Sequence, residues 1–398
     1  MSEPTTTGAR LAEVFRSALR LGLTSFGGPI AHIGYFRREY VDRRRWFDNA
    51  AFVDLVALCQ SLPGPASSQL GIAIGMRRAG IAGGIVSWLG FTVPSAIILV
   101  CFGLLTGAAD VSNAGWVHGL KLAAVAVVAH AVWTLAPVLA PEPRRAAMAI
   151  AAAGIALAWT TPLAQVAIIA GGGLLGLLLL ASPSDVRGEE SGPAAAARRL
   201  AVLALAIFFL LLAGLPLLRA ATGSTEVAMV ETFYRSGSLV FGGGHVVLPL
   251  LHAGVVDTGW VTEDRFLSGY GAAQAVPGPL FAFAAYLGSV AVSPLGGWSG
   301  AAIALVAIYV PSFFLILGVM PFWDRLRAST SFRRALLGAN AAVLGLLAAA
   351  LYRPIWTSAI AGPADVAVAA AGLAMLASGR VPPIVVVVFA AAAGQLLG

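Results

Sequence analysis

Residues Gln60-Ser61-Leu62-Pro63-Gly64-Pro65 and Gln274-Ala275-Val276-Pro277-Gly278-Pro279 carry one pattern, Gln-x-x-Pro-Gly-Pro, 214 positions apart. Each copy interrupts an apolar run. Proline has no N–H to give to a helix and pushes the residue before it toward extended backbone, while glycine permits a reversal, so a helix is expected to stop at both sites. The run ahead of the first break, 51–62, has 12 residues, which is about 18 Å of helix at about 1.5 Å per residue.

The surroundings decide what that length means. The chain has 398 residues, 59% of them hydrophobic and 11% charged, with a mean hydropathy of +0.87. That leaves too little polar surface to coat a water-soluble body of this size. Apolar runs at 85–105, 119–140, 163–181, 200–218 and 299–320 are each long enough to cross a bilayer core as a helix. They lack the alternation of transmembrane strands. The expected fold class is therefore an all-α polytopic membrane protein, in which a 12-residue half-helix is too short for a core about 30 Å thick. Broken or re-entrant hairpins follow.

The repeat extends well beyond the two breaks. Phe26-Gly27-Gly28 pairs with Phe241-Gly242-Gly243 and Arg20 with Arg235 at an offset of 215; Trp46 pairs with Trp260 and Phe52 with Phe266 at 214. Farther on, Gly83-Gly84 matches Gly296-Gly297 and Pro94-Ser95 matches Pro311-Ser312. We read a first repeat over 1–181, a second over 226–398, and between them, at 182–225, a polar cytoplasmic linker followed by one odd crossing.

Charge orients the copies, because Arg and Lys prefer cytoplasmic loops. Loop 37–45 holds Arg37, Arg38, Arg43, Arg44 and Arg45, whereas its counterpart 252–264 holds Asp257, Glu263 and Asp264 without Arg or Lys. Arg325, Arg327, Arg333 and Arg334 likewise correspond to a loop, 106–118, that has neither. The two repeats are thus expected to be inverted. This pattern accounts for the net charge of +7 without a nucleic-acid partner. The opening residues lack the regions of a signal peptide, so no cleaved leader is expected. Cys59 and Cys101, both within apolar segments, read as two buried thiols with no disulfide, metal-ligand spacing or cofactor implied.

A half-helix that begins after a break points its N–H groups and positive dipole end at whatever fills the cavity, a geometry suited to anions. Candidate binding residues are therefore Pro63, Gly64, Pro65, Pro277, Gly278 and Pro279, with Gln60, Ser61, Ser67, Ser68, Gln69 and Gln274 as side-chain donors. The turns Gly27-Gly28 and Gly242-Gly243-Gly244 allow close backbone approach, and His32 and His245 follow them. Arg20 and Arg235, six residues before each Phe-Gly-Gly, are candidate anion ligands because charge within apolar sequence is costly. Snorkelling to a headgroup or pairing with an acid such as Glu231 is the alternative. Lys121 faces the same choice, with Asn340 at the matching place in the second half as a further site candidate, and Asp54 is either a proton-coupling carboxylate or the partner of an arginine.

The strings Ser25-Phe26-Gly27-Gly28-Pro29, Gln60 to Pro65, Phe241-Gly242-Gly243-Gly244-His245 and Gln274 to Pro279 resemble the paired signatures of the chromate ion transporter family, over about residues 11–140 and 226–357. Two homologous copies in one chain are similar to its long-chain form. The resemblance implies export of chromate across the bacterial cytoplasmic (inner) membrane, driven by the proton gradient or membrane potential, and hence chromate resistance. Sulfate, a tetrahedral dianion of similar size, is a second candidate substrate, and a homodimer is one assembly open to such a chain. Ala66 stands where the resemblance leads one to expect a polar side chain, which leaves the backbone to make any contact there.

Three other functions compete. A passive anion channel would use the same physics. A membrane enzyme has no His-Glu-x-x-His or Gly-Lys-Ser/Thr motif to support it, since the only lysine, Lys121, follows Leu120. A scaffold gives no reason for two polar helix breaks at membrane depth.

Overall fold

The computed structural model describes residues 6–26, 28–108, 114–159, 161–181, 195–241, 244–292 and 294–397. Among these the regular structure is helical, with five helices long and apolar enough to cross a membrane and several shorter apolar ones. The chain is a multi-pass membrane protein. The polar stretch 182–194 lies outside the described residues.

In the first half, α1 (Thr7–Thr24) and α2 (Gly28–Phe36) are followed by a wide-turn segment, Arg37–Arg43, and then by α3 (Asn49–Ser61) and α4 (Ala66–Ala108). Three further helices complete it: α5 (Gly115–Leu139), α6 (Pro143–Ala158) and α7 (Pro162–Leu179). α8 (Ala195–Thr222) stands between the halves. The second half runs α9 (Thr225–Leu239), α10 (Val247–Val255), α11 (Glu263–Ala275), α12 (Phe283–Val290) and α13 (Gly297–Val319). After these come α14 (Trp323–Ala328), α15 (Thr330–Ala350), α16 (Thr357–Ala359), α17 (Pro363–Ala377) and α18 (Pro383–Leu397).

Local chemistry sets the ends. Asp48 caps α3 by accepting from the Ala51 N–H, and Thr262 caps α11 by accepting from Arg265, so both helices start at matched places. Both then stop at the Pro-Gly-Pro turns, where Gly64 and Gly278 have φ of +125° and +103°. α4 turns at Ala79 and Gly80, just beyond Arg77 and Arg78. There the two arms of the hairpin approach at Gly75 and Gly83, where a Cβ on either would overlap the other's carbonyl. Gly288 and Gly300 make the same contact between α12 and α13.

The halves interleave. α5 packs along α17 and α18, and α15 along α6 and α7. Small residues let the backbones meet: Gly115 and Gly119 lie on Gly394 and Ala390, and Gly338 lies on Gly172 and Gly176. α8 packs on α9 and α13 and turns Val202, Leu203, Phe209, Leu210 and Leu217 outward. Cys59 is buried, but Cys101 is exposed on the protein surface, correcting the expectation of two buried thiols. An apolar run that faces lipid needs no protein to cover it.

Candidate functional site

Each Pro-Gly-Pro turn is docked on the opposite half. The Gly64 N–H donates to the Val240 carbonyl at 2.6 Å, and the Gly278 N–H donates to the Ser25 carbonyl at 2.9 Å. Val240 and Ser25 close α9 and α1, immediately before the glycine-rich breaks, so each turn meets the other half's break. The spanning helices join reciprocally. A Cβ on Gly64 would lie 3.0 Å from Ser312 Oγ on α13, and one on Gly278 would lie 2.9 Å from Ser95 Oγ on α4. Four matched backbone segments and two matched serines thus converge around two crossings.

The side chains around the two crossings differ. On the first, His32 Nδ1 lies 3.2 Å from Ser67 Oγ, Ser68 donates to the Tyr309 hydroxyl at 3.5 Å, and Gln69 Nε2 donates to the Pro63 carbonyl at 2.6 Å. Gln69 Oε1 and His32 Nε2 are buried there without a hydrogen-bond partner, as is Ser25 Oγ at the second crossing, although the Ser25 backbone lies close to the His32 ring. Unsatisfied polar atoms at depth are costly and point to a ligand or water that completes them. At the positions of Ser67, Ser68 and Gln69 the second half carries Phe281, Ala282 and Phe283, all fully buried. Its polar groups are His245, bonded to the Tyr270 hydroxyl at 2.7 Å, and Gln274, whose Nε2 has no partner. A small cavity is lined by Gly28 of one break, by His245, and by Gln274 and Gly278 of the turn docked beside them.

The structure therefore brings Gly28, His32, Gly64, Ser67 and Ser68, with Pro63 and Pro65 flanking, toward His245, Gln274, Gly278 and their flanking Pro277 and Pro279. Gly244 opens the short turn that carries His245. Gly27, Gly242 and Gly243 lie outside the described residues. The charged candidates have other partners. Arg20 is mostly exposed, 4.0 Å from Glu39. Arg235 pairs through Nε with the buried Glu231, which Arg219 also reaches at 3.0 Å, and its Nη1 is buried without a partner. Lys121 meets Asp264 at 2.6 Å, and Asp54 accepts from Arg327 at 2.7 Å and from Trp323 Nε1 at 3.0 Å. Gln60 is exposed, and Asn340 keeps an unpartnered Oδ1. Sequence reading missed Tyr309, Thr92 and Tyr270. It noted Ser95 and Ser312 only as markers of the repeat, although a serine matched in both halves beside a proline is itself a signal.

A pattern built from proteins described as "Chromate transporter" matches residues 12–177 and 227–395, one copy per half. The chain belongs to the chromate transporter family. It is a family of transporters rather than of enzymes. Its members include a chromate transport protein of Pseudomonas aeruginosa, 29% identical over 97% of this chain and 92% of its own length. A probable chromate transport protein of Synechococcus elongatus is 27% identical over 86% of this chain and 84% of its own. A chromate transport protein of Cupriavidus metallidurans is 25% identical over 87% and 82%. No solved structure matches the chain.

Proposed function

We propose that this protein exports chromate from the bacterial cytoplasm by proton-coupled alternating access, with sulfate as a competing ion, and so confers chromate resistance. The observation that carries the reading is the reciprocal docking of Gly64 on Val240 and of Gly278 on Ser25, in a chain whose relatives bear the name of chromate transport. Two broken hairpins locked to each other's breaks can rock about a shared centre, offering it to one side and then the other. On this reading 1–181 and 226–398 are inverted copies. The arginine-rich loop 37–45, Arg77 and Arg78, and the segment 325–334 face the cytoplasm, and 252–264 faces outward.

The anion sits at the first crossing, where the amides opening the 66–78 arm of α4, the Ser67 and Ser68 hydroxyls and the His32 ring can donate to its oxygens. Arg235, with an unpartnered Nη1, supplies positive charge; Arg20, turned outward against Glu39, does not. The test is uptake of labelled chromate into inverted vesicles, with and without a proton gradient and with excess sulfate. Saturable, gradient-dependent uptake is expected, reduced about tenfold or more in Ser67→Ala/Ser68→Ala and in Arg235→Ala, and little changed in Arg20→Ala. Loss of a single hydrogen bond to a charged ligand, at about 1.5–3 kcal/mol, sets the lower end of that scale. Flux that does not saturate and ignores the gradient would show a channel instead.

A further inference from the structure

The two repeats hold their matched loops in different ways. In the first, Glu39 is clamped by Arg44 at 2.6 Å and Arg43 at 3.1 Å, and Glu13 by Arg44 at 3.0 Å and Arg78 at 3.3 Å. The Arg44 and Arg78 guanidinium groups each lie 5.2 Å from the centre of the Trp46 ring. Every cation in that network is a guanidinium, charged at any pH the cell meets. In the matched loop of the second repeat a histidine, His252, stands at the place of Arg37, whose Nε donates to Asn49 Oδ1 at 3.0 Å in the first. His252 Nε2 lies 2.7 Å from Glu263 Oε2, and Nδ1 lies 3.4 Å from Asp257 Oδ1.

A neutral imidazole donates from one nitrogen and accepts at the other; only the imidazolium donates from both. A ring hydrogen-bonded to one carboxylate and within ion-pair distance of a second has the surroundings of an imidazolium rather than of a neutral ring. The second Glu263 oxygen, Oε1, is buried without a partner. Burial lifts the Asp257 carboxyl above its ordinary value, against the pull of His252 and with the push of Glu263. Beside the cluster lies a cavity of about 220 Å³ lined by His252, Asp257, Gln165, Pro249 and Arg353. It has room for several water molecules.

Several of the other charged groups around α10 have partners of their own. Arg353, in the segment after α15, shares the cavity. α7 offers the uncharged Gln165, bonded to the Pro249 carbonyl at 3.0 Å. On α9, Glu231 is held by Arg219 and Arg235, and Glu226 is bonded to Ser224; on α11, Asp264 is held by Lys121.

We propose that the His252–Glu263–Asp257 cluster is the proton-binding site through which the gradient drives this transporter, an inference that rests on the export reading above. α10 and α11 are tied at one end by His245 and Tyr270 and at the other by His252 and Glu263. A proton taken from the outer side charges the ring and strengthens the second tie; its loss leaves a neutral hydrogen bond and loosens α10 on α11. Because α11 runs into Gln274 and Gly278, that loosening reaches the crossing directly. The first repeat, pinned by arginines, has no such response.

The full chain in proteoliposomes, with labelled chromate as the probe, separates this inference from its basis. Chromate counterflow at equal pH on both sides tests transport itself, and its absence in the wild type removes the export reading and this inference together. Under a gradient of one pH unit the wild type accumulates chromate up to about tenfold per coupled proton. His252→Gln is expected to keep counterflow and lose that accumulation, while Glu263→Gln, which deprives the imidazolium of its carboxylate, moves the midpoint of the pH profile to lower pH. Full accumulation by His252→Gln, counterflow lost along with accumulation in that variant, or an unmoved profile in Glu263→Gln, overturns the assignment.

Discussion

Replacing Gly64 by alanine tests the docked turn on its own terms. Its φ of +125° lies in a region that side chains rarely adopt, and an added Cβ would overlap Gln69 Nε2 and lie 3.0 Å from Ser312 Oγ. The backbone contribution is about 1–2 kcal/mol, and displacing Gln69 from the Pro63 carbonyl adds about 0.5–1.5 kcal/mol. Two glycines separate these parts. Gly28 has φ of +77° with nothing within 4 Å of its would-be Cβ, so Gly28→Ala carries the backbone part by itself. Gly34 is helical with nothing within 4 Å, so Gly34→Ala should stabilise by about 0.5–1 kcal/mol. In detergent-solubilised protein, unfolded by added SDS and followed by tryptophan fluorescence, stability should rank from highest to lowest Gly34→Ala, Gly28→Ala, Gly64→Ala. The last should sit about 2–3 kcal/mol below wild type. A Gly64→Ala protein no weaker than Gly28→Ala would refute the packing argument.

Two further outcomes follow from the packing. Asp54 and Arg327 are each about one-third exposed, so Asp54→Asn should cost less than about 1 kcal/mol of stability and leave gradient-driven uptake intact. Abolished coupling in that variant, with normal insertion, would move the proton site back to the first repeat. A Cβ on Gly338 would overlap the Gly172 carbonyl, whereas Gly154 has open space around it. Gly338→Val should therefore give little folded, monodisperse protein and Gly154→Val a normal yield, as read by size-exclusion chromatography.

What could be read from the chain divides by range. Helix breaks at Pro63-Gly64-Pro65 and Pro277-Gly278-Pro279 were legible because proline and glycine act on their own backbone; the structure ends α3 and α11 within a residue or two of the expected places. That the second half carries the same break as the first was legible because the two motifs keep one pattern. That each turn docks on the other half was not, because Gly64 and Val240 are brought together by helix neighbours no local pattern names. Nor was the fate of the arginines: Glu39 gives no sign in sequence that it is buried, yet it holds Arg20, Arg43 and Arg44. The contrast between Ser67-Ser68-Gln69 and Phe281-Ala282-Phe283 could have been read by laying one repeat on the other. It shows that copies matched in backbone need not be matched in chemistry.

The interleaving of α5 with α17 and α18, and of α15 with α6 and α7, has a consequence for biogenesis. When α5 enters the bilayer its glycine face has no mate, because α18 is still to be synthesised. The early helices must wait, loosely held, until the late ones arrive. A half-chain made by itself would carry the same bare face, and two half-chains supplied in trans should find each other and rebuild the whole.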